Sequence, residues 1–268
     1  IKKDLFQKSN IVEFQGPLYE DIFMQKRYLL NNTRLTIKLD RTSNEFALIN
    51  HEPTGSYKIH LEEVMFKAHM IQLDPRTQFA IGRSLETRPA LYCYTQRDIR
   101  VENINTGFTS GTLDNLFPNR LPSRILVTLI PAKAYNGDLK LNPFNFKPYD
   151  LQRISLSVNN DTINTFTPTF DHAQGNGVST SYLSLYETLR ELGNDFGNDI
   201  TLYDFAHSYC MYAFNIKPSY GASYAPDHGH VRLSLNFKKA LKEPVVLMIH
   251  AETPAIMEIT NTRNVTVK

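Results

Sequence analysis

The stretch Val231-Arg232-Leu233-Ser234-Leu235-Asn236-Phe237 puts an apolar side chain at every second position and a polar one between. A helix would scatter these side chains around its surface, whereas a strand, with its period of two, sorts them onto two faces. One face is built for a core and the other for water, the arrangement of antiparallel sheets with one wet side. Ile154, Leu156 and Val158 alternate in the same way with Arg153, Ser155 and Ser157, and Leu35, Ile37 and Leu39 with Arg34, Thr36 and Lys38. Each predicts a half-buried strand.

Working outward, Tyr57 to Gln72 alternates but changes phase. Tyr57, Ile59 and Leu61 share one parity and Val64, Phe66, Ala68 and Met70 the other. One extra residue at Glu62-Glu63 re-aims all later side chains, so the stretch predicts a long strand with a β-bulge. Ile125 to Ile130 and Val245 to Ile249 are continuous apolar runs rich in β-branched residues, predicting strands covered on both faces. Pro118, Pro122, Pro131, Pro143, Pro148, Pro218, Pro226, Pro244 and Pro254 punctuate these runs near their ends and mark corners, where a missing N–H breaks no ladder.

Helical spacing is confined to short stretches. Ser179 to Leu192 carries Tyr182, Leu185, Tyr186, Leu189 and Leu192 three and four residues apart, and Gly193 stops it. Thr201 reads as the N-cap of a second helix burying Leu202 and Phe205, and Asp74-Pro75 opens a third through Phe79 and Ile81. Many strands joined by long excursions predict an all-β jelly-roll β-sandwich with a short helical insertion. An immunoglobulin-type sandwich fits less well, because the Cys…Trp…Cys pattern is absent.

Composition narrows the function. With 268 residues, 41% of them hydrophobic, the chain is long enough to bury a sizeable core. Lys and Arg number 29 against 27 Asp and Glu, scattered without a basic arm, which argues against direct nucleic-acid binding. Cys93 and Cys210 have no CxxC or Cys/His spacing and read as buried thiols in a reducing compartment. The longest purely apolar run, Val245 to Ile249, is far short of the roughly 20 residues of a membrane-spanning helix. No signal-peptide pattern follows Ile1-Lys2-Lys3-Asp4, and the chain reads as a fragment or a processed product. Sequons begin at Asn31, Asn160 and Asn264 and read as chance matches without a secretory signal.

Candidates for chemistry are sparse. His228-Gly229-His230 resembles the HxH of cupin metal sites, but Val231 to Leu235 offer no carboxylate to complete the ligand set, so a solvated turn is the expectation and no metal or cofactor is assigned. Asp171-His172 and Asp204 with His207 pair carboxylate and imidazole, yet no nucleophile motif accompanies them. Glu62 and Glu63, adjacent on a strand, point to opposite faces and cannot share a substrate. Gly175 and Gly177 lack the Gly-Lys-Ser/Thr of a phosphate loop. No catalytic residue is assigned, and the chain is not expected to be an enzyme. The most distinctive local sequence is Asn142-Pro143-Phe144-Asn145-Phe146-Lys147-Pro148-Tyr149. Asn142, Pro143, Phe144, Asn145, Phe146 and Tyr149 form either a rigid corner or a subunit-contact motif, since aromatics held by prolines bind at low entropic cost.

That motif also carries a resemblance. Leu121-Pro122-Ser123-Arg124-Ile125-Leu126-Val127, then Ala134-Tyr135-Asn136-Gly137, then Asn142-Pro143-Phe144-Asn145-Phe146 follow in order. Before them come Gly16-Pro17-Leu18, Asp21-Ile22-Phe23, Gln25 and Arg27-Tyr28-Leu29-Leu30-Asn31, and after them Tyr212-Ala213-Phe214, His250-Ala251-Glu252, Ile256-Met257-Glu258-Ile259 and Asn264-Val265. The ordered set resembles the double jelly-roll major capsid proteins of Polinton/Maverick elements and adinto-like viruses, relatives of virophage capsid proteins. The resemblance implies that the N-terminal half is largely missing, residues 1–50 being the terminal strands of a first jelly roll and 51–268 a second. It implies a hexon-like subunit forming homotrimeric, pseudo-hexameric capsomers of an icosahedral shell, assembled inside the host cell and resident in the virion. Its implied partners are neighbouring capsomers with penton and other minor capsid proteins. The alternatives are a single jelly-roll carbohydrate- or receptor-binding module and a cupin-like metalloenzyme using His228 and His230.

Overall fold

The computed structural model describes residues 9–50, 57–168, 178–189, 197–216 and 228–268. Among the described residues two sheets are built from β1 Ala90–Ile104, β2 Ser110–Leu113, β3 Arg124–Pro131, β4 Leu151–Val158, β5 Asp161–Phe166, β6 Met211–Asn215, β7 Val231–Phe237 and β8 Val245–Ile259. A short β9, Val265–Val267, closes a hairpin on the end of β8. One sheet has the order β1-β8-β3-β6 and the other β2-β7-β4-β5. The first strand lies beside the eighth, the second beside the seventh, the third beside the sixth and the fourth beside the fifth. That nesting is one long antiparallel hairpin rolled into a sandwich, the double Greek key of a jelly roll.

Alternation explains why the sheets face each other. β7 buries Val231, Leu233, Leu235 and Phe237 and turns Arg232 and Asn236 outward. β4 buries Ile154, Leu156 and Val158 beside them in antiparallel register, Ile154 opposite Leu235 and Leu156 opposite Leu233. The second sheet contributes Ile125, Val127 and Leu129 of β3 and Val245, Leu247, Ile249 and Ala251 of β8 to the same core. Phe166 of β5 bridges the sheets, its ring 5.0 Å from that of Phe214 on β6. Tyr212 and Cys210 are sealed in as well, and burial pushes the Cys210 thiol up to about 12, whereas Cys93, expected to be buried, is exposed on β1.

Two predicted strands are corrected. Residues 33–42 and 57–74 carry no strand, and Leu35, Leu39, Leu61, Val64 and Met70 stand exposed. Their alternation has no ladder partner among the described residues, and a strand exists only in a ladder. Pro254 departs from its expected place at a strand end: it sits within β8, exposed, between the residues paired to β3, which end at Glu252, and those paired to β9, which begin at Met257. No ladder to β3 or β9 uses its missing N–H.

Five helices are described. α1 is Asn44–Ala47, α2 Pro75–Thr87, α3 Ala132–Asn136, α4 Val178–Leu189 and α5 Leu202–His207. α2 starts as predicted, the Asp74 carboxylate accepting from the Arg76 N–H and Pro75 filling the first turn. α5 starts with a capping box, Thr201 Oγ1 accepting from the Asp204 N–H and the Asp204 carboxylate accepting from the Thr201 N–H. Phe205 is buried there, but Leu202 is exposed, against expectation. α4 packs a face of small residues, Ser181, Ser184 and Thr188, with Val178 and Leu185, and Ser184 Oγ lies 3.4 Å from the Ala213 carbonyl of β6. Leu189 of the predicted stripe is exposed, at the last described turn of the helix, while Leu185 of the same stripe is buried. The stop expected at Gly193 lies outside the described residues.

By its internal contacts the chain divides into two compact units. One comprises Ile1–Arg34, Leu73–Thr95 and Ala255–Lys268, the other Leu35–Gln72 and Gln96–Pro254.

Candidate functional site

The corner between β3 and β4 is built residue by residue. Pro131 ends β3 and caps α3, and Gly137 ends the helix with φ at +101°, a conformation that favours glycine. A Cβ there would lie 3.0 Å from Glu45 Cβ and 3.2 Å from the Phe46 nitrogen, so Gly137 also admits α1. Lys133 Nζ lies 2.8 Å from Asp138, which also accepts from the Lys140 N–H at 2.8 Å. These bonds hold the Asp138 carboxyl below the usual carboxylate range.

The Asn142 motif follows. Asn142 Oδ1 accepts from the Phe144 N–H at 3.0 Å and the Asn142 carbonyl from the Asn145 N–H at 3.2 Å, a turn closed by its own side chain. Pro143 is buried; Phe144 is 60% exposed, its ring meeting Phe46 edge-on at 5.9 Å. Phe146 forms a parallel bridge to Tyr209, donating to the Ser208 carbonyl at 2.8 Å and accepting from the Cys210 N–H at 3.1 Å. The Tyr149 hydroxyl donates to Glu243 at 2.9 Å, and burial together with that carboxylate pushes the phenol's pKa up. Tyr149 and Asp150 both adopt positive φ, at 52° and 51°, so the chain is forced round into β4.

The other sequence candidates stay apart. His230 donates its N–H to Asn159 Oδ1 at 2.9 Å and, with Asp114, Asn115, Asn160 and Arg232, lines a depression of about 130 Å³. His228 is exposed beside it. Among the described residues no group of three or more His, Cys, Asp and Glu could hold a metal ion. Asp204 is engaged in its capping box, and His207 Nδ1 lies 2.7 Å from the Tyr203 carbonyl with its ring stacked on Tyr203. Glu62 and Glu63 lie exposed on the strandless stretch. Asp171, His172, Gly175 and Gly177 lie outside the described residues. No helix among the described residues is long and apolar enough to cross a membrane.

One charged cluster escaped sequence reasoning. Glu252 of β8 stands opposite Arg124 of β3, 2.5 Å from its guanidinium, and Arg97 approaches the same carboxylate at 3.4 Å. Arg124 also donates to the Thr188 carbonyl at 2.9 Å, placing positive charge at the C-terminal turn of α4. Both Arg124 and Glu252 fall inside quoted motifs, but only the register of β3 on β8 reveals the pair.

No protein-family model matches the chain. An uncharacterized protein of Caenorhabditis elegans is 25% identical over 258 residues, covering 91% of this chain. The chain spans 60% of that relative's length. Among solved structures, the cryo-EM structure of the Sputnik virophage is similar at TM-score 0.45 and 10% identity, over 68% of this chain and 39% of that one. The PBCV-1 virus capsid follows at TM-score 0.38 and 11% identity, over 72% and 53%. The mavirus major capsid protein matches at TM-score 0.35 and 7% identity, over 68% of this chain and 41% of its own.

Proposed function

We propose that the chain is a structural subunit of a viral-type capsid, hexon-like, whose output is interface area and not catalysis. The observation that carries the reading is a jelly roll with both sheets in place that nonetheless leaves two extended stretches of large apolar side chains in water. Ile11, Phe14 and Tyr19 lie on the first, Leu61, Val64, Met65 and Met70 on the second, and each is more than half exposed. Apolar surface gathered in this way marks contact with other proteins. The ordered motifs shared with double jelly-roll capsid proteins point to the same role.

In this reading residues 1–50 belong to a first jelly roll, where Leu35, Ile37 and Leu39 find their ladder, and 51–268 form the second. Three subunits make a pseudo-hexameric capsomer, and capsomers tile with one another and with penton and minor proteins in the virion. The exposed ring of Phe144, held by the Asn142 turn and buried Pro143, is a subunit contact. Light scattering coupled to size exclusion on the full-length protein tests the reading: a trimer is expected, and a stable monomer at micromolar concentration sinks it. Phe144→Asp, which alters an exposed position, should leave the circular dichroism unchanged and weaken the trimer.

A further inference from the structure

Strand β1 stands at the end of its sheet, and the run Ala90-Leu91-Tyr92-Cys93-Tyr94-Thr95 at its start is rich in β-forming residues, with no charge and no proline. Such a six-residue window on an edge is a template for another chain. In a strand, the N–H and C=O of residues two apart point to the same edge. Here Leu91, Cys93 and Thr95 share one edge, and each is met by a side chain. Arg27 Nη1 donates to the Leu91 carbonyl at 3.0 Å, Gln25 Nε2 donates to the Cys93 carbonyl, and the Thr95 N–H donates to Asp21 Oδ2 at 2.9 Å.

The three side chains descend the strand in antiparallel order, as a neighbouring strand would, although residues 21–31 carry no strand themselves. The segment is pinned at both ends. A tight turn closes one, with the Phe23 N–H bonded to the Glu20 carbonyl at 2.9 Å and the Met24 N–H to the Asp21 carbonyl at 3.1 Å. At the other, the Tyr92 hydroxyl donates to the Tyr28 carbonyl at 3.0 Å, and Arg263 donates to the Asn31 carbonyl at 2.8 Å and to Asn31 Oδ1 at 3.0 Å.

We propose that Asp21, Gln25 and Arg27 form a side-chain clasp that closes the outer edge of β1 against strand addition by a second copy of the chain. The clasp occupies two carbonyls and one N–H of that edge with side chains in place of a further strand. The triple variant Asp21→Ala/Gln25→Ala/Arg27→Ala, kept in reductant because Cys93 is exposed, should sediment as assemblies larger than those of the native chain at equal concentration. It should also gain thioflavin fluorescence. Adding Thr95→Pro, which deletes an edge donor that an incoming strand needs, should restore native sedimentation. A triple variant that sediments like the native chain, or assemblies that persist with the proline, overturns the clasp. Should the triple variant not fold, Asp21→Ala alone decides. Losing the carboxylate acceptor should speed hydrogen exchange at the Thr95 amide by about fivefold or more, and an unchanged rate overturns the proposal.

Discussion

Strand β7 and residues 57–72 are both amphipathic stretches, and they end in opposite states. β7 has β2 on one side, with Gly111 opposite Leu235, and β4 on the other, and its apolar face is sealed. Residues 57–72 carry no strand and expose most of their larger apolar side chains, and the Ile59 N–H near their start donates to Asn44 Oδ1 at 3.1 Å. An alternating pattern therefore sets which face is fit for burial, while burial itself requires a neighbour on each edge and a sheet across the gap.

The largest effect that separates the two regions is expected at Leu233, fully buried in β7. Leu233→Ala should cost about 3 kcal/mol in denaturant unfolding; a loss under about 1 kcal/mol would break the contrast with residues 57–72. Gly137→Ala comes next, at about 2 kcal/mol, because its φ and the nearby Glu45 and Phe46 both resist a Cβ. The same change should loosen α1 and, through Asn44, the start of the 57–72 stretch. Asn44→Ala tests that tether directly, with an expected local loss of about 1 kcal/mol read as faster exchange of the Ile59 amide. Val64→Ser with Met70→Ser should move the stability of the isolated chain by less than about 0.5 kcal/mol, while weakening trimers of the full-length protein if those side chains lie in interfaces.

The smallest effect belongs to Asp138. Its folded carboxyl titrates below the usual range because Lys133 and the Lys140 N–H favour the charged form. Its contribution is therefore present above the carboxyl's unfolded pKa and lost as pH falls through the lower folded value. Asp138→Asn should thus be slightly less stable than the native chain at neutral pH and equal to it once the pH is below that folded value. A difference that persists in acid would assign the role of Asp138 to something other than its charge.

Much of the jelly roll was legible because its central strands carry their burial pattern in every residue. β4, β7 and the apolar runs of β3 and β8 stand where alternation and composition place them, and the starts of α2 and α5 follow from their capping residues. The exposed Leu202 and Leu189 were misassigned because helical spacing does not say which stripe a sheet will accept. The Arg97–Glu252–Arg124 cluster was illegible for a related reason. Its members are separated in sequence by as much as 155 positions and meet only through strand pairing.

For this protein the sequence by itself determined that β3, β4, β7 and the start of β8 suit strands and where α2 and α5 begin, because propensity, capping and alternation act over a few residues. Only the tertiary structure decided which alternating segments found ladders, which motif residues guard the edge of β1, and which charges pair across β3 and β8. Those outcomes depend on hydrogen-bond partners and packing surfaces brought together from distant parts of the chain, and no local pattern encodes that register.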